Sequence, residues 1–197
     1  MPSREEDPRI TRRTMIATSA LIPVAAIRCA AQNPNQPRAL TPAQRKTTEM
    51  LVDRIIPADE LGPGALECSA ANYIDFQLAD YLAPFKDAWI TGLNALDAFA
   101  MDTQGAAFAD LPAEKRDAVL LALPDKGSGP ANLQTFFATA RNYTMQGTFG
   151  DPHYGGNIGG KGWDIIRYPG PRQATSADMQ RMDKETAPVR RSAWGNE

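Results

Sequence analysis

The stretch FFATARNYTMQGTFGDPHYGGNIGGKGWDIIRYPGPR, residues 136–172, decides how the rest of this chain is read. In its first part Phe136, Phe137, Ala140, Tyr143, Thr144 and Gly147 recur at three- and four-residue intervals, the spacing of one helix face. After Gly147 that spacing stops. A run of glycines reaches to Gly162, and Pro152 and Pro169 fix φ, so the chain must fold back as an ordered irregular loop. Tyr154, Trp163 and Tyr168 give the loop rings to bury. No catalytic set falls in the stretch, which therefore reads as a surface to be held by another molecule.

Working upstream, the same reading gives four more helices. Thr41-Pro42-Ala43-Gln44 carries a cap, a proline suited to the first helical position and a glutamine able to close a capping box. The helix it opens buries Met50, Leu51, Val52, Ile55 and Ile56 and ends before Pro57. A loop turning at Gly62-Pro63-Gly64 leads to Ser69, read as the cap of a helix bearing Tyr73, Ile74, Leu78, Tyr81 and Leu82. Pro84 begins a third helix with Trp89, Leu93, Leu96 and Ala100 on its inner face. A fourth follows Pro112 with Val119, Leu120 and Leu123, and a turn at 125–132 enters the helix of the opening stretch. No window alternates as a strand does. The expected fold is mainly α: a single helical domain of about five helices over 40–170 with a long ordered glycine- and aromatic-rich C-terminal loop.

Both ends differ from this domain. Residues 1–31 place Arg12-Arg13 before the weakly apolar ATSALIPVAAI, the outline of a twin-arginine (Tat) export signal with cleavage near Ala31. The apolar run is about a dozen residues, short of the roughly 20 that span a bilayer, and Pro23 interrupts it. An accidental arginine pair in a basic terminus is the competing reading, and Arg28 is a poor fit to a lipoprotein site at Cys29. Residues 32–39 read as a polar linker, and 171–197 as an exposed polar tail.

A net charge of −2 and a pI near 5.5 provide no basic field for phosphates, so nucleic acid is not an expected partner. His153 is the lone histidine, and Asp151, His153 and Asp164 would bind a metal only with ligands from elsewhere. The glycines at 155–162 lack the spacing and preceding strand of a phosphate loop. Asp53, Asp59 and Glu60 are separated by Pro57 and read as a solvated helix end. No catalytic, cofactor-binding or metal-binding residue is therefore assigned to this chain. Tyr143, Phe149, Tyr154, Trp163 and Tyr168 form the candidate partner interface, since aromatic rings provide rigid contact area, although they could instead close the core beneath the loop.

The order GTFGDPHYGGN, GW and YPG at 147–170, with RIIPADELGPGALECSAANYIDFQLA at 54–79, resembles the two recurring segments of the gluconate 2-dehydrogenase subunit 3 family. The resemblance covers about Leu40 to Gly170. It implies a non-catalytic, cofactor-free small subunit of a periplasmic dehydrogenase acting on sugars, sugar acids or polyols. The partner would be a large FAD-binding subunit, commonly joined by a multihaem cytochrome c subunit carrying haem c, and the membrane would be met only through the complex. Tat export moves folded proteins, so this chain's signal would carry the flavoprotein with it and support its maturation. At Glu67, Cys68 and Ser69 the chain departs from the small residues usual in the family, so no role for Cys68 carries over. With Cys29 removed by cleavage, Cys68 is left either as a buried thiol or as a candidate intermolecular disulfide. The alternative function is a freestanding periplasmic module whose aromatic loop holds a sugar.

Export is expected to depend on Arg12 and Arg13. The double Lys variant should leave the chain and its partner in the cytoplasm by cell fractionation, and normal periplasmic levels would refute the signal.

Overall fold

Thr41 opens α1 (Pro42–Ile55) with a complete capping box: Gln44 N donates to Thr41 Oγ1 at 3.3 Å, and Thr41 N donates to Gln44 Oε1 at 3.0 Å. The computed structural model describes residues 38–123, 131–172, 174–181, 183 and 187–194. The paired arginines, the cleavage point near Ala31 and the linker up to residue 37 lie outside them, as does most of the turn at 125–132. After α1 come α2 (Ala70–Ala79), α3 (Lys86–Gln104), α4 (Ala113–Leu121), α5 (Ala131–Phe149) and the short α6 (Lys161–Ile165). Among the described residues there is no strand; Asp59 and Gly62 form an isolated bridge.

The apolar spacing read from the sequence accounts for the core. Leu51 and Val52 of α1, Ile74 and Leu78 of α2, Trp89, Leu93, Leu96 and Ala100 of α3, and Val119 and Leu120 of α4 are all buried together. Leu133, Phe136, Ala140 and Tyr143 bring α5 into the same cluster. Trp89 lies between two rings of α5, stacked on Tyr143 at 5.7 Å and edge-on to Phe136 at 5.1 Å. Arg54 ties α1 to α4 by a two-pronged bond to Asp117 at 2.7 and 2.8 Å, which raises the guanidinium pKa further.

Three expectations are corrected. Ser69 makes no side-chain cap; it sits at φ 63° and closes a turn in which Ser69 N donates to Leu66 O and Ala70 N to Ala65 O, so backbone serves the start of α2. Tyr81 does not face the core, because α2 stops at Ala79 and the ring, 81% exposed, points to solvent while Leu82 turns inward. Within the loop after α5, Trp163 sits on a sixth helix, α6, too short to show a period in the sequence.

α2 carries buried polar side chains as well as apolar ones. Asp75, 1% exposed, accepts from Ala39 N at 2.8 Å, Leu40 N at 2.9 Å and Arg45 Nη1 at 2.8 Å, fastening the chain ahead of α1 across α2. Removing this carboxylate leaves two backbone amides without their acceptor and Arg45 with Glu49 alone, in a region with little water. Asp75→Ala is expected to cost about 3 kcal/mol and to lower Tm by about 10 °C, read by circular dichroism against wild type.

Candidate partner-docking surface

The loop after α5 is built on that helix's own unsatisfied carbonyls. A helix leaves its last four C=O groups without intrahelical partners. Gln146 O accepts from Gly150 N at 2.8 Å, Gly147 O from Asn157 N at 2.8 Å, and Phe149 O from Trp163 Nε1 at 2.9 Å. Asn157, buried at φ 43°, also spans the loop with its side chain: Nδ2 donates to Gly150 O and Oδ1 accepts from Gly162 N, both at 2.8 Å. The approach is too close for side chains. A Cβ at Gly156 would lie 2.2 Å from Gly147 O, and one at Gly162 would lie 1.8 Å from Thr148 O.

α2 fastens the loop from the other side. Asn72 Nδ2 donates to Gly155 O at 2.6 Å and Gln77 Nε2 to Tyr154 O at 3.2 Å. Asp151 caps the turn Pro152–Tyr154 through His153 N at 2.9 Å and accepts Ala193 N at 2.8 Å. Burial would raise its pKa, but the bonds from Ser192, Ala193 and His153 prevail and hold the carboxyl below its ordinary value. The tail is mostly exposed yet returns to this loop, with Val189 N on Pro169 O at 2.7 Å, Arg190 paired to Asp164, and Trp194 5.8 Å from His153.

The five aromatic residues singled out in the sequence are distributed over three places. Tyr143 is buried against Trp89, and Trp163 is buried with its indole N–H committed to Phe149 O. Phe149 is half-buried. Tyr168, 41% exposed, stands edge-on to Trp163 at 5.3 Å and lines a hollow with Arg167 and Arg190. Tyr154, 40% exposed, joins Tyr73, Phe76, Tyr81 and His153 around a cleft of about 610 Å³ on the outer side of α2. Helical spacing places Tyr73 and Tyr81 on an inner face; Tyr73 is half-buried against the core, its hydroxyl donating to Gln146 Oε1 at 2.6 Å, whereas Tyr81 is exposed, and Phe76 has no place in that spacing. The signal available was the short helix: aromatic residues follow one another faster than a ten-residue helix can bury them.

Among the described residues no three of His, Cys, Asp and Glu are grouped to hold a metal, and no helix is long and apolar enough to cross a membrane. Asp151 is engaged with the turn and the tail, and Asp164 with Arg190. The described residues thus form a helical scaffold that fixes a glycine-rich loop and shows the rings of Tyr81, Tyr154 and Tyr168 to solvent. The family model described as Gluconate 2-dehydrogenase subunit 3 matches residues 42–170, and the chain belongs to this family. No curated protein and no solved structure matches it.

Cys68 lies fully buried in the 65–69 turn, where a bond to another chain would require that turn to open. Burial pushes its thiol up from 9.0 to about 11; Lys161 pulls the other way and Glu67 adds to the rise. The folded state thus prefers the neutral thiol, so this contribution to stability is whole below the unfolded value and is lost as pH rises from 9 toward 11. Urea midpoints of wild type should fall more between pH 8 and pH 10.5 than those of Cys68→Ala. Native protein at pH 8 should resist alkylation until denatured.

Proposed function

We propose that this chain is the non-catalytic small subunit of a periplasmic FAD-dependent dehydrogenase complex oxidising a sugar, sugar acid or polyol, and that it docks through the aromatic cleft on the outer side of α2. Membership of a family named for a dehydrogenase subunit supports the assembly. The observation that carries the docking face is the gathering of Tyr73, Phe76, Tyr81 and Tyr154 around one cleft, with Tyr81 left 81% exposed. Aromatic rings held on a stiff scaffold are the residues on which interface energy concentrates, and they cost little entropy to immobilise. The loop fastened by Asn157 supplies that stiffness to Tyr154 and His153.

In this reading FAD resides in the large subunit, and haem c in a cytochrome subunit that takes the electrons onward. This chain holds no cofactor; it stabilises the flavoprotein and brings it across the membrane by the signal at Arg12 and Arg13. Contact with the membrane comes only through the complex.

Co-expression with candidate FAD-binding large subunits and native affinity purification test the docking face. Tyr81→Ala should weaken association about 30-fold, near 2 kcal/mol, and Tyr81→Ala with Tyr154→Ala should abolish co-purification. Neither change should alter Tm by more than a few degrees, since Tyr81 is 81% exposed and Tyr154 lies outside the buried core. Undiminished recovery of the flavoprotein with the double variant would overturn this surface assignment, and a wild-type chain that never recovers a flavoprotein would overturn the subunit reading.

A further inference from the structure

Residues 187–194 lie along the loop that follows α5 without entering the buried core, and most of their side chains are exposed. Four contacts hold them there. Val189 N donates to Pro169 O at 2.7 Å and Ala193 N to Asp151 Oδ2 at 2.8 Å, while Arg190 pairs with Asp164 and the Trp194 ring lies 5.8 Å from that of His153. Two of these are backbone amides, which any extended segment offers; the other two are an arginine and, four residues on, an aromatic ring. The receiving side leaves room for such a segment. A Cβ on Gly170 would lie 2.0 Å from Val189 O, and one on Gly160 would lie 2.7 Å from Arg190 Cδ, so bare backbone at both positions is what admits the tail. The fit is incomplete: a hollow of about 810 Å³ remains, lined by Trp163, Asp164, Arg167 and Tyr168 from the loop and by Pro188 and Arg190 from the tail.

We infer that this face of the loop is a peptide-recognition site for an extended segment presenting an arginine and an aromatic ring four residues later, and that the chain's own residues 187–194 are its resident ligand. Backbone bonds give such a site its hold, and the side-chain contacts give it its choice. Arg190 and Asp164 are exposed enough that their pair contributes little on its own. The tail stays seated because its tether keeps it at a high effective concentration, which lets a few modest contacts suffice and leaves the occupant exchangeable. The site does not rest on the subunit reading, and its test needs this chain alone.

The test uses the ¹⁵N-labelled full chain. Hydrogen exchange at the Val189 and Ala193 amides of wild type should be slowed about tenfold relative to an unstructured peptide. Asp164→Arg faces Arg190 with a like charge and should remove most of that protection; adding Arg190→Asp restores opposite charges and should return it. The Asp164 side chain is 55% exposed and Trp194 67%, so neither substitution reaches the core. Recognition in trans is read in the full chain carrying Asp164→Arg with Trp194→Ala, which loosens the tail at both side-chain contacts. The octapeptide of residues 187–194 carrying Arg190→Asp should shift the Gly160 and Gly170 resonances saturably, and the unaltered octapeptide should bind about fivefold more weakly. Wild-type protection in Asp164→Arg, no recovery in the charge-swapped pair, equal affinities of the two octapeptides, or no shift at millimolar peptide would each overturn the proposal.

Discussion

The last turn of α5 sets the terms for everything that follows it in the chain. Its exposed carbonyls must find donors, and they find them in a loop that could be reached only if that loop came within van der Waals contact of bare backbone. Gly156 and Gly162 allow the contact, while Asn157 adopts the left-handed conformation that its short amide side chain tolerates and bonds to both sides of the turn. The loop is therefore the cap of α5 extended over about twenty residues, and its rigidity follows from the helix it completes.

α2 is the counterpart to this cap. Its apolar positions Ile74 and Leu78 enter the core, but Asn72, Asp75 and Gln77 are buried too: Asp75 reaches the backbone ahead of α1, and Asn72 and Gln77 reach that of the loop after α5. One short helix thus fastens the chain ahead of α1 and the loop after α5. Gly147 lets α5 come within 2.8 Å, measured from its would-be Cβ, of Ala70 Cα. Half-buried Tyr73 and Phe76 of the same helix line the cleft together with Tyr81, which follows its end, so the cleft stands on a helix braced on two sides.

Legibility in the sequence followed the range over which each signal acts. The capping box at Thr41 is local and complete within four residues, and the apolar positions of α3 repeat often enough to define a face; both were plain. Ser69 misled because its residue type suits a cap, whereas the turn before it already supplies backbone partners to α2. Tyr81 misled because periodicity was carried two residues past the end of a helix whose stop has no proline or glycine to announce it. Sequence proximity groups the five aromatic residues near the C-terminus, but the fold parts them: Tyr143 packs on Trp89 and Trp163 bonds Phe149 O, while Tyr154 and Tyr168 reach solvent.

An all-helical interior also limits how this molecule can assemble. The described residues contain no β-strand, and a helix consumes its own amides and carbonyls along its length. Among the described residues no sheet edge is offered on which another chain could extend a ladder, a mode of association that reads backbone and is largely indifferent to side chains. Recognition by these residues is then a matter of side-chain shape and chemistry, and a surface of that kind discriminates between related molecules one residue at a time.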